Sequence, residues 1–193
     1  MSRLASLAIA AALALPMSAQ AADNYKLDPT HTSVFFHANH IGYSKVFGLF
    51  RDVSGEFTLD EDNLSANKVR ILIKAASIDT NEKARDEHLR SPDFFNAKEF
   101  GEIVFVGTRV EKTGDKAGKL HGDLTMLGVT KPATLDITLN KIAPHPVPKY
   151  NKVQTAGFSA RGTIKRTDWG MKYGVPGVSD EIALMIEVEG HKQ

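Results

Sequence analysis

Apolar and polar residues alternate with a period of two along most of this chain, and the alternation continues over long segments. In the segment 181–190, Ile182 and Leu184 fall on one face, whereas Glu187 and Glu189 fall on the other. Successive side chains of a β-strand point to opposite faces, so this pattern is typical of a strand with one buried face. The chain is therefore predicted to be an antiparallel β-protein whose strands each keep one face in water.

About eight segments show this alternation, and we predict strands at 31–38, 46–60, 68–78, 102–111, 118–127, 132–143, 153–166 and 181–190. Long strands that share one apolar face build either a sandwich or a closed barrel, and the alternation by itself does not separate the two. A barrel of about eight strands is just wide enough to hold one small ligand. Ala156, Ala160 and Gly162 all fall on the inward face of one predicted strand, and their small size predicts open space there.

Between the third and fourth predicted strands lies the one clear helical stretch. Asp79 is predicted to be its N-cap, because Glu82 follows at the position of a capping-box partner. Pro92 is predicted to end the helix, since the residue before a proline avoids helical geometry. The adjacent rings of Phe94 and Phe95 then predict a lid or plug whose apolar side faces the interior of the protein.

The first 21 residues have the organisation of a bacterial secretory signal peptide. Arg3 gives a positive start, a thirteen-residue apolar run follows at 4–16, and small residues at 19 and 21 form a cleavage site. A bilayer span needs about 20 apolar residues, so cleavage is expected and a retained membrane anchor is the alternative. The expected mature protein is a single domain, 22–193, in the periplasm.

The charge balance of the expected mature chain excludes some functions. The whole chain has 24 Lys and Arg residues against 23 Asp and Glu, and removal of residues 1–21 takes away Arg3 and no acid. A net charge of zero gives no support to nucleic-acid binding. The absence of cysteine excludes disulfides and thiol chemistry.

The histidines near the start of the mature chain do not predict a metal site. His31 and His37 share one face of an extended strand, and His40 falls on the other face. Without a bend these side chains cannot converge on one ion, so hydrogen bonding at strand edges and in loops is the simpler interpretation. We therefore predict no metal site and no cofactor.

Five motifs occur in order along the chain. They are His31-Thr32-Ser33, His40-x-Gly42-x-Ser44-x-Val46-x-Gly48-x-Phe50, Arg85-Asp86-x-His88-Leu89-Arg90-Ser91-x-Asp93-Phe94-Phe95, Gly128-Val129-Thr130-Lys131-Pro132 and Arg166-x-Asp168-Trp169-Gly170-Met171. Together they resemble the YceI-like family, periplasmic proteins with a lipocalin-like barrel that hold long-chain isoprenoid lipids. The resemblance covers nearly all of the chain after residue 23. Trp169 departs from it slightly, because phenylalanine is expected there.

The resemblance implies an all-β fold, an eight-stranded antiparallel lipocalin-like barrel with a short helical insert between strands 3 and 4. It implies non-enzymatic binding, transport or storage of a long-chain isoprenoid lipid, such as a polyprenyl phosphate or a quinone, or of a similar amphiphile. Besides this lipid, the expected partners are the inner membrane or a membrane redox protein in transient contact, and a second copy in a homodimer. No nucleic acid is expected.

The inward apolar residues of the strands, together with the two rings after the helix, are the expected ligand-binding residues. They are Phe36, Phe50, Phe57, Ile73, Phe94, Phe95, Phe105, Leu124, Met126, Ile137, Phe158, Ile164, Leu184 and Ile186. Ordinary core packing is the alternative for each of them. Phe94 and Phe95 are expected near the mouth of the barrel.

Four further residues are expected to contact a lipid headgroup or to hold the lid. Arg85 and His88 share one helix face, and Asp168 and Trp169 lie in a later loop. The structural alternative is that the helix residues only hydrogen-bond the loop around 168 and 169. Two other functions remain open at this stage: an enzyme that uses His88 with a carboxylate on a lipid headgroup, and a filled sandwich that acts as an envelope stress or interaction module.

Overall fold

The computed structural model describes residues 22–193, and the predicted signal peptide lies outside them. Eleven strands and one α-helix occur in this part of the chain. In order they are β1 (Asp23–Leu27), β2 (Ser33–His40), β3 (Ser44–Phe50), β4 (Val53–Leu59), β5 (Val69–Lys74), β6 (Ile78–Asp79), α1 (Lys83–Arg90), β7 (Glu102–Lys112), β8 (Ala117–Met126), β9 (Val129–Pro144), β10 (Gln154–Lys165) and β11 (Val178–Lys192). Short 3₁₀ turns occur at Leu64–Ala66, Ala75–Ser77, Pro148–Tyr150 and Arg166–Trp169.

The strands form one closed antiparallel barrel. The eleven strands make up eight long barrel strands, which we call staves. Three staves are interrupted, so that each consists of two strands: β1 with β2, β3 with β4, and β5 with β6. Each stave pairs with the next one along the chain, and β11 closes the ring by pairing with both β2 and β1. The predicted eight-stranded barrel, with a short helix between the third and fourth staves, is therefore confirmed.

The closing seam runs along one edge of β11. The first part of β11 pairs with β2, where Leu184 lies opposite Phe36, and its last residues pair with β1, where His191 lies opposite Lys26. The alternation did not predict β1. Its five residues are too few for a period-two pattern to stand out, and they are held in place by β4 and β11 on either side.

The two ends of the barrel differ in the loops that they carry. The helical end carries the loops 41–43, 80–101, 127–128 and 166–177, and the rim end carries the loops 60–68, 113–116 and 145–153. Because all of the pairings are antiparallel, loops alternate between the two ends along the chain. Within residues 22–193, no helix is both long enough and apolar enough to cross a bilayer.

The start of the helix differs from the prediction. Glu82, not Asp79, is the N-cap of α1, and its carboxylate accepts hydrogen bonds from the backbone nitrogens of Ala84 and Arg85. Asp79 accepts instead from the backbone nitrogen of Asn81 and from the side chain of Arg51. Asp79 ends a short strand and is tied to β3 by pairing, so the helix begins three residues later than predicted. The helix ends at Arg90, just before the Ser91-Pro92 bond, as expected.

Candidate functional site

The interior of the barrel contains a cavity of about 350 Å³ with an almost entirely apolar wall. All of the predicted ligand-binding residues line it: Phe36, Phe50, Phe57, Ile73, Phe94, Phe95, Phe105, Leu124, Met126, Ile137, Phe158, Ile164, Leu184 and Ile186. Their contact with a ligand stays a prediction. The cavity does, however, exclude the completely filled sandwich that the sequence left open.

Of the three small residues predicted to leave open space, only Ala160 lines the cavity. Ala156 is fully buried in a separate apolar cluster with Tyr25 and Phe57. At Gly162 an added methyl carbon would lie 2.7 Å from Cδ2 of Leu135, so that space is already filled from the neighbouring strand. The prediction of open space at these two positions was wrong, because alternation does not show which cross-strand neighbour occupies a gap.

The solvent-exposed part of the cavity wall lies at the rim end. Glu61, Lys112 and Asp115 are exposed, and all three border the cavity. At the helical end the wall is formed by buried or half-buried residues, including Phe94 and Met171. The mouth is therefore at the rim end, opposite to the helix.

Phe94 and Phe95 form a plug at the helical end and do not lie near the mouth. Phe94 is buried and packs edge-on against the rings of His88 and Tyr173. Phe95 packs edge-on against Phe50 with ring centroids 5.6 Å apart. The predicted position near the mouth was wrong, since the sequence did not reveal which end of the barrel is open.

Charged side chains of the helix hold this plug against the barrel wall through hydrogen bonds. Arg85 donates to the hydroxyl and the carbonyl oxygen of Thr80, each at 2.7 Å. The buried carboxylate of Asp86 accepts from the backbone nitrogen and the hydroxyl of the same threonine at 2.8 and 2.6 Å. Arg90 donates to the carbonyl oxygens of Ala76 and Ile78. The charged motif of the helix therefore has a mechanical role in holding the plug in place.

None of the four predicted headgroup residues is part of the cavity wall. Arg85 is engaged with Thr80, and His88 is an exposed side chain whose Nε2 lies 2.9 Å from Asp93. Asp168 is exposed on the outer surface. These residues do not line the cavity. The contacts of Arg85 support a structural role, but its partner is Thr80 and not the loop around 168 and 169.

Trp169 also has a structural role. It is buried, and its indole nitrogen donates to the carbonyl oxygen of Leu124 at 2.9 Å. This bond ties the loop that follows β10 to β8 across the helical end. A phenylalanine, which is expected here from the family pattern, would fill similar space without this donor.

Arg166 is the site residue that the sequence analysis missed. Its side chain is 3% exposed, and it borders the cavity at the helical end. It donates to the carbonyl oxygens of Ser179, Met171 and Val178 at 2.9 to 3.0 Å. The sequence contained the residue within a motif, but a motif does not show that the side chain turns inward.

The charge of Arg166 is not matched by a contacting acid. Among the described residues, no carboxylate oxygen lies within 4.0 Å of its guanidinium nitrogens. Burial lowers the pKa of Arg166, and the charge of Asp180 opposes that effect. A guanidinium has five N–H groups, and the three bonds to carbonyl oxygens use three of them, which leaves two. Arg166 thus supplies a cationic donor at the closed end of an apolar cavity.

The histidine that the sequence suggested as a catalytic group does not lie in the cavity. His88 and Asp93 lie outside the wall and are both about half exposed. His37 packs against Phe47, and neither it nor His40 belongs to a cluster of potential metal ligands in residues 22–193. The arrangement is suited to holding an apolar molecule whose end group can accept hydrogen bonds.

The fold and the cavity define a class of protein: lipocalin-like barrels with an interior cavity. The model of the YceI-like domain family matches residues 25–190, and the chain belongs to this family. It is 44% identical over 178 residues to Protein YceI of Escherichia coli O157:H7, an alignment that covers 91% of this chain and 90% of that protein.

Solved structures have the same fold. The YCEI protein of Campylobacter jejuni is 34% identical, with a TM-score of 0.71, over 80% of this chain and 90% of that one. A polyisoprenoid binding domain from Saccharophagus degradans, implicated in plant cell wall breakdown, has a TM-score of 0.60 over 88% of this chain and 98% of that one. At 12% identity, that second likeness concerns the fold alone.

Proposed function

We propose that this protein is a non-enzymatic carrier that holds one long-chain isoprenoid lipid, or a similar amphiphile, in the cavity of its barrel. The observation that carries the proposal is the nearly complete apolar wall of the cavity, which is open at the rim end and plugged at the other. Family membership and the polyisoprenoid binding domain with the same fold support it. Transport, storage and stress protection would all use this same binding step.

Burial of the lipid chain supplies enough free energy for this role. Each buried methylene contributes about 0.8 kcal/mol, so a dozen contribute roughly 10 kcal/mol before the costs of association. Ordering and association take up several kcal/mol, which leaves binding in the micromolar range or tighter without any polar contact. The cavity volume of about 350 Å³ is within the usual range of ligand sites.

Arg166 gives the proposed ligand an orientation. An oxygen-bearing end group, such as a phosphate or a quinone carbonyl, would lie at the helical end and accept from the free N–H groups of Arg166. The apolar chain would extend towards the rim end. A buried cation without a contacting carboxylate is stabilised by such an acceptor, which is the physical basis of this orientation.

We place this carrier in the periplasm, and the support for that location is the signal-like organisation of residues 1–21. N-terminal sequencing of the exported protein is expected to begin at Ala22, and an uncleaved Met1 in the membrane fraction would contradict it.

Ile41, Tyr43 and Phe47 are exposed apolar side chains on the β2–β3 hairpin, and they support transient contact with the inner membrane. A homodimer is also part of the proposal and is tested by the mass of the purified protein in solution.

Mass spectrometry of organic extracts tests the proposal. Protein purified from its native host without detergent is extracted, and the expected result is one lipid class at close to one molecule per barrel. The matched control is the Ala160→Phe variant, whose added ring would occupy the cavity. The proposal fails if the folded wild-type protein contains no lipid and also takes up none from vesicles that contain a polyprenyl phosphate.

A further inference from the structure

The closing seam of the barrel gathers histidines and carboxylates from distant parts of the chain. Asp28 and His31 lie in the loop between β1 and β2, and Glu189 and His191 lie on the outer face of β11. These four residues, which we call the seam cluster, are on the outside of the barrel, away from the lipid cavity.

We propose that the seam cluster is a binding site for a divalent transition-metal ion of the Zn²⁺, Cu²⁺ and Ni²⁺ class. This departs from the prediction of no metal site, which considered His31 only with His37 and His40, whereas His31 lies beside Asp28 and Glu189. The four ligand atoms would be Oδ2 of Asp28, Nδ1 of His31, Oε1 of Glu189 and Nε2 of His191. The proposal is independent of lipid binding.

The spacing of the four atoms fits a small cation. Nδ1 of His31 lies 2.7 Å from Oδ2 of Asp28 and 3.8 Å from Oε1 of Glu189. Nε2 of His191 lies 3.2 Å from the same Glu189 oxygen and 3.9 Å from Oδ2 of Asp28. Tetrahedral ligands at about 2.0–2.2 Å from zinc are about 3.3–3.6 Å apart, and these four distances lie on both sides of that spacing. His31 and His191 belong to two separate ligand groups that share Glu189, so an ion at this oxygen would have to draw the two imidazoles towards each other.

The charge and the chemistry of the set suit such an ion. Two carboxylates and two neutral imidazoles offer a charge of −2 to a cation of charge +2. Imidazole nitrogen favours zinc, copper and nickel over magnesium and calcium, which prefer sites made wholly of oxygen. The side chain of Asp28 is buried, those of Glu189 and His191 are partly buried, and that of His31 is half exposed, so an ion could reach the site from solvent.

Hydrogen bonds from residues outside the seam cluster already orient the carboxylate of Asp28. Oδ1 of Asp28 accepts from the backbone nitrogen and the hydroxyl of Thr30 at 2.9 and 2.7 Å, which leaves Oδ2 turned towards His31. Such outer contacts are typical of metal sites.

His145 would not bind the ion itself but would contact one of its ligands, Glu189. Its Nδ1 accepts from the backbone nitrogen of Val147 at 3.2 Å, which places the ring proton on Nε2. That Nε2 faces Oε1 of Glu189 at 3.5 Å and can only donate to it. His145 would thus orient Glu189, and the ring of Tyr150 packs against it with centroids 4.1 Å apart.

Metal titration of the untagged protein tests the site. Protein stripped with EDTA is titrated with Zn²⁺ by calorimetry, and its melting temperature is followed with and without the ion. The expected result is one ion per chain and a higher melting temperature, because an ion that binds only the folded state stabilises it. Co²⁺ in place of Zn²⁺ should give the visible absorption of a tetrahedral site.

Variants separate this site from general surface binding. Glu189→Gln and His31→Gln should each weaken Zn²⁺ binding at least tenfold, and His145→Phe should weaken it about tenfold as an outer contact. His121→Gln is the matched control, since His121 also faces a surface carboxylate, Glu111, but without a second histidine. It should leave the affinity unchanged.

Three results would overturn the proposal. They are no stoichiometric binding by the wild-type protein, unchanged affinity in both Glu189→Gln and His31→Gln, and an equal loss in His121→Gln. His31 is in an exposed part of a loop, so its variant is expected to remain folded even if changes on β11 do not. Circular dichroism of the metal-free variants verifies that each of them is folded.

Discussion

Arg166 and Phe94 meet at the closed end of the barrel, where the guanidinium carbon lies 5.9 Å from the centroid of the phenyl ring. The contact joins the loop after β10 to the plug that follows α1. It places the cation of the cavity wall against the aromatic face of the plug, an arrangement that is attractive in itself. The group proposed to recognise the end of the lipid is thus held by the element that closes the barrel.

Arg166→Met is expected to change lipid preference. The variant should bind a polyprenyl phosphate about tenfold or more weakly, because a charge-assisted contact is lost, and squalene about equally well. Arg166→Lys, which keeps the charge, should retain part of the preference. Competition binding with a fluorescent lipid measures both affinities. An equal loss for the two lipids would assign Arg166 to structure alone, through its three carbonyl contacts.

Ala160→Phe is expected to abolish lipid uptake while the barrel remains folded, because its side chain borders open space. Ala156→Phe is the matched change on the same strand, at a residue that is fully buried in packed surroundings. It should lower the free energy of unfolding by about 1–3 kcal/mol or more through overpacking. Urea unfolding and lipid content separate the two effects. Full lipid content in folded Ala160→Phe would contradict the cavity as the binding site.

Phe94→Ala is expected to destabilise the protein by about 3–5 kcal/mol, the usual effect of removing a buried ring. The loss should exceed that in His88→Ala, whose side chain is exposed although it touches the same ring. Lipid release should also become faster if the plug seals the helical end. Urea unfolding measures the first effect, and transfer to acceptor vesicles measures the second. Similar stability in both variants would argue against a packed plug.

Trp169→Phe tests the bond across the helical end. The variant should lose about 1–3 kcal/mol, because the carbonyl oxygen of Leu124 is left buried without this donor. The urea dependence of the unfolding free energy should not change, since the folded state stays equally compact. Equal stability would mean that the ring alone, and not the hydrogen bond, is what this position requires.

The stability of the protein should fall in acid partly because of Asp28. Burial raises the pKa of Asp28, but hydrogen bonds from His31 and Thr30 outweigh that effect and lower it from its usual 3.8 to about 2 in the folded state. Its ionised form therefore stabilises the fold above about pH 4. This contribution is lost as the pH falls from about 4 towards 2. The difference in unfolding free energy between wild type and Asp28→Asn should therefore shrink over that range. Urea unfolding in EDTA measures it, and a constant difference would contradict the assignment.

Much of the barrel was predictable because the pattern of a strand depends on residues that are close together in the sequence. The alternation at 181–190 and at 153–166 gave the strands and their inward residues, since a strand that buries one face must repeat every second residue. It failed at β1, where five residues are too few, and at the helix start, where pairing of Asp79 with β3 prevailed over a capping pattern. Closure into a barrel came from the resemblance and not from the alternation.

The sequence by itself determined the inward wall of the cavity, because the face on which a residue lies is set by its position in the strand. Only the tertiary structure decided which end is open, that Arg166 turns into the cavity, and that Asp28 and His191 meet. The last pair is separated by most of residues 22–193 and comes together because β11 pairs with β1. Barrel closure depends on all of the strands at once, so no local pattern encodes the contacts made across its seam.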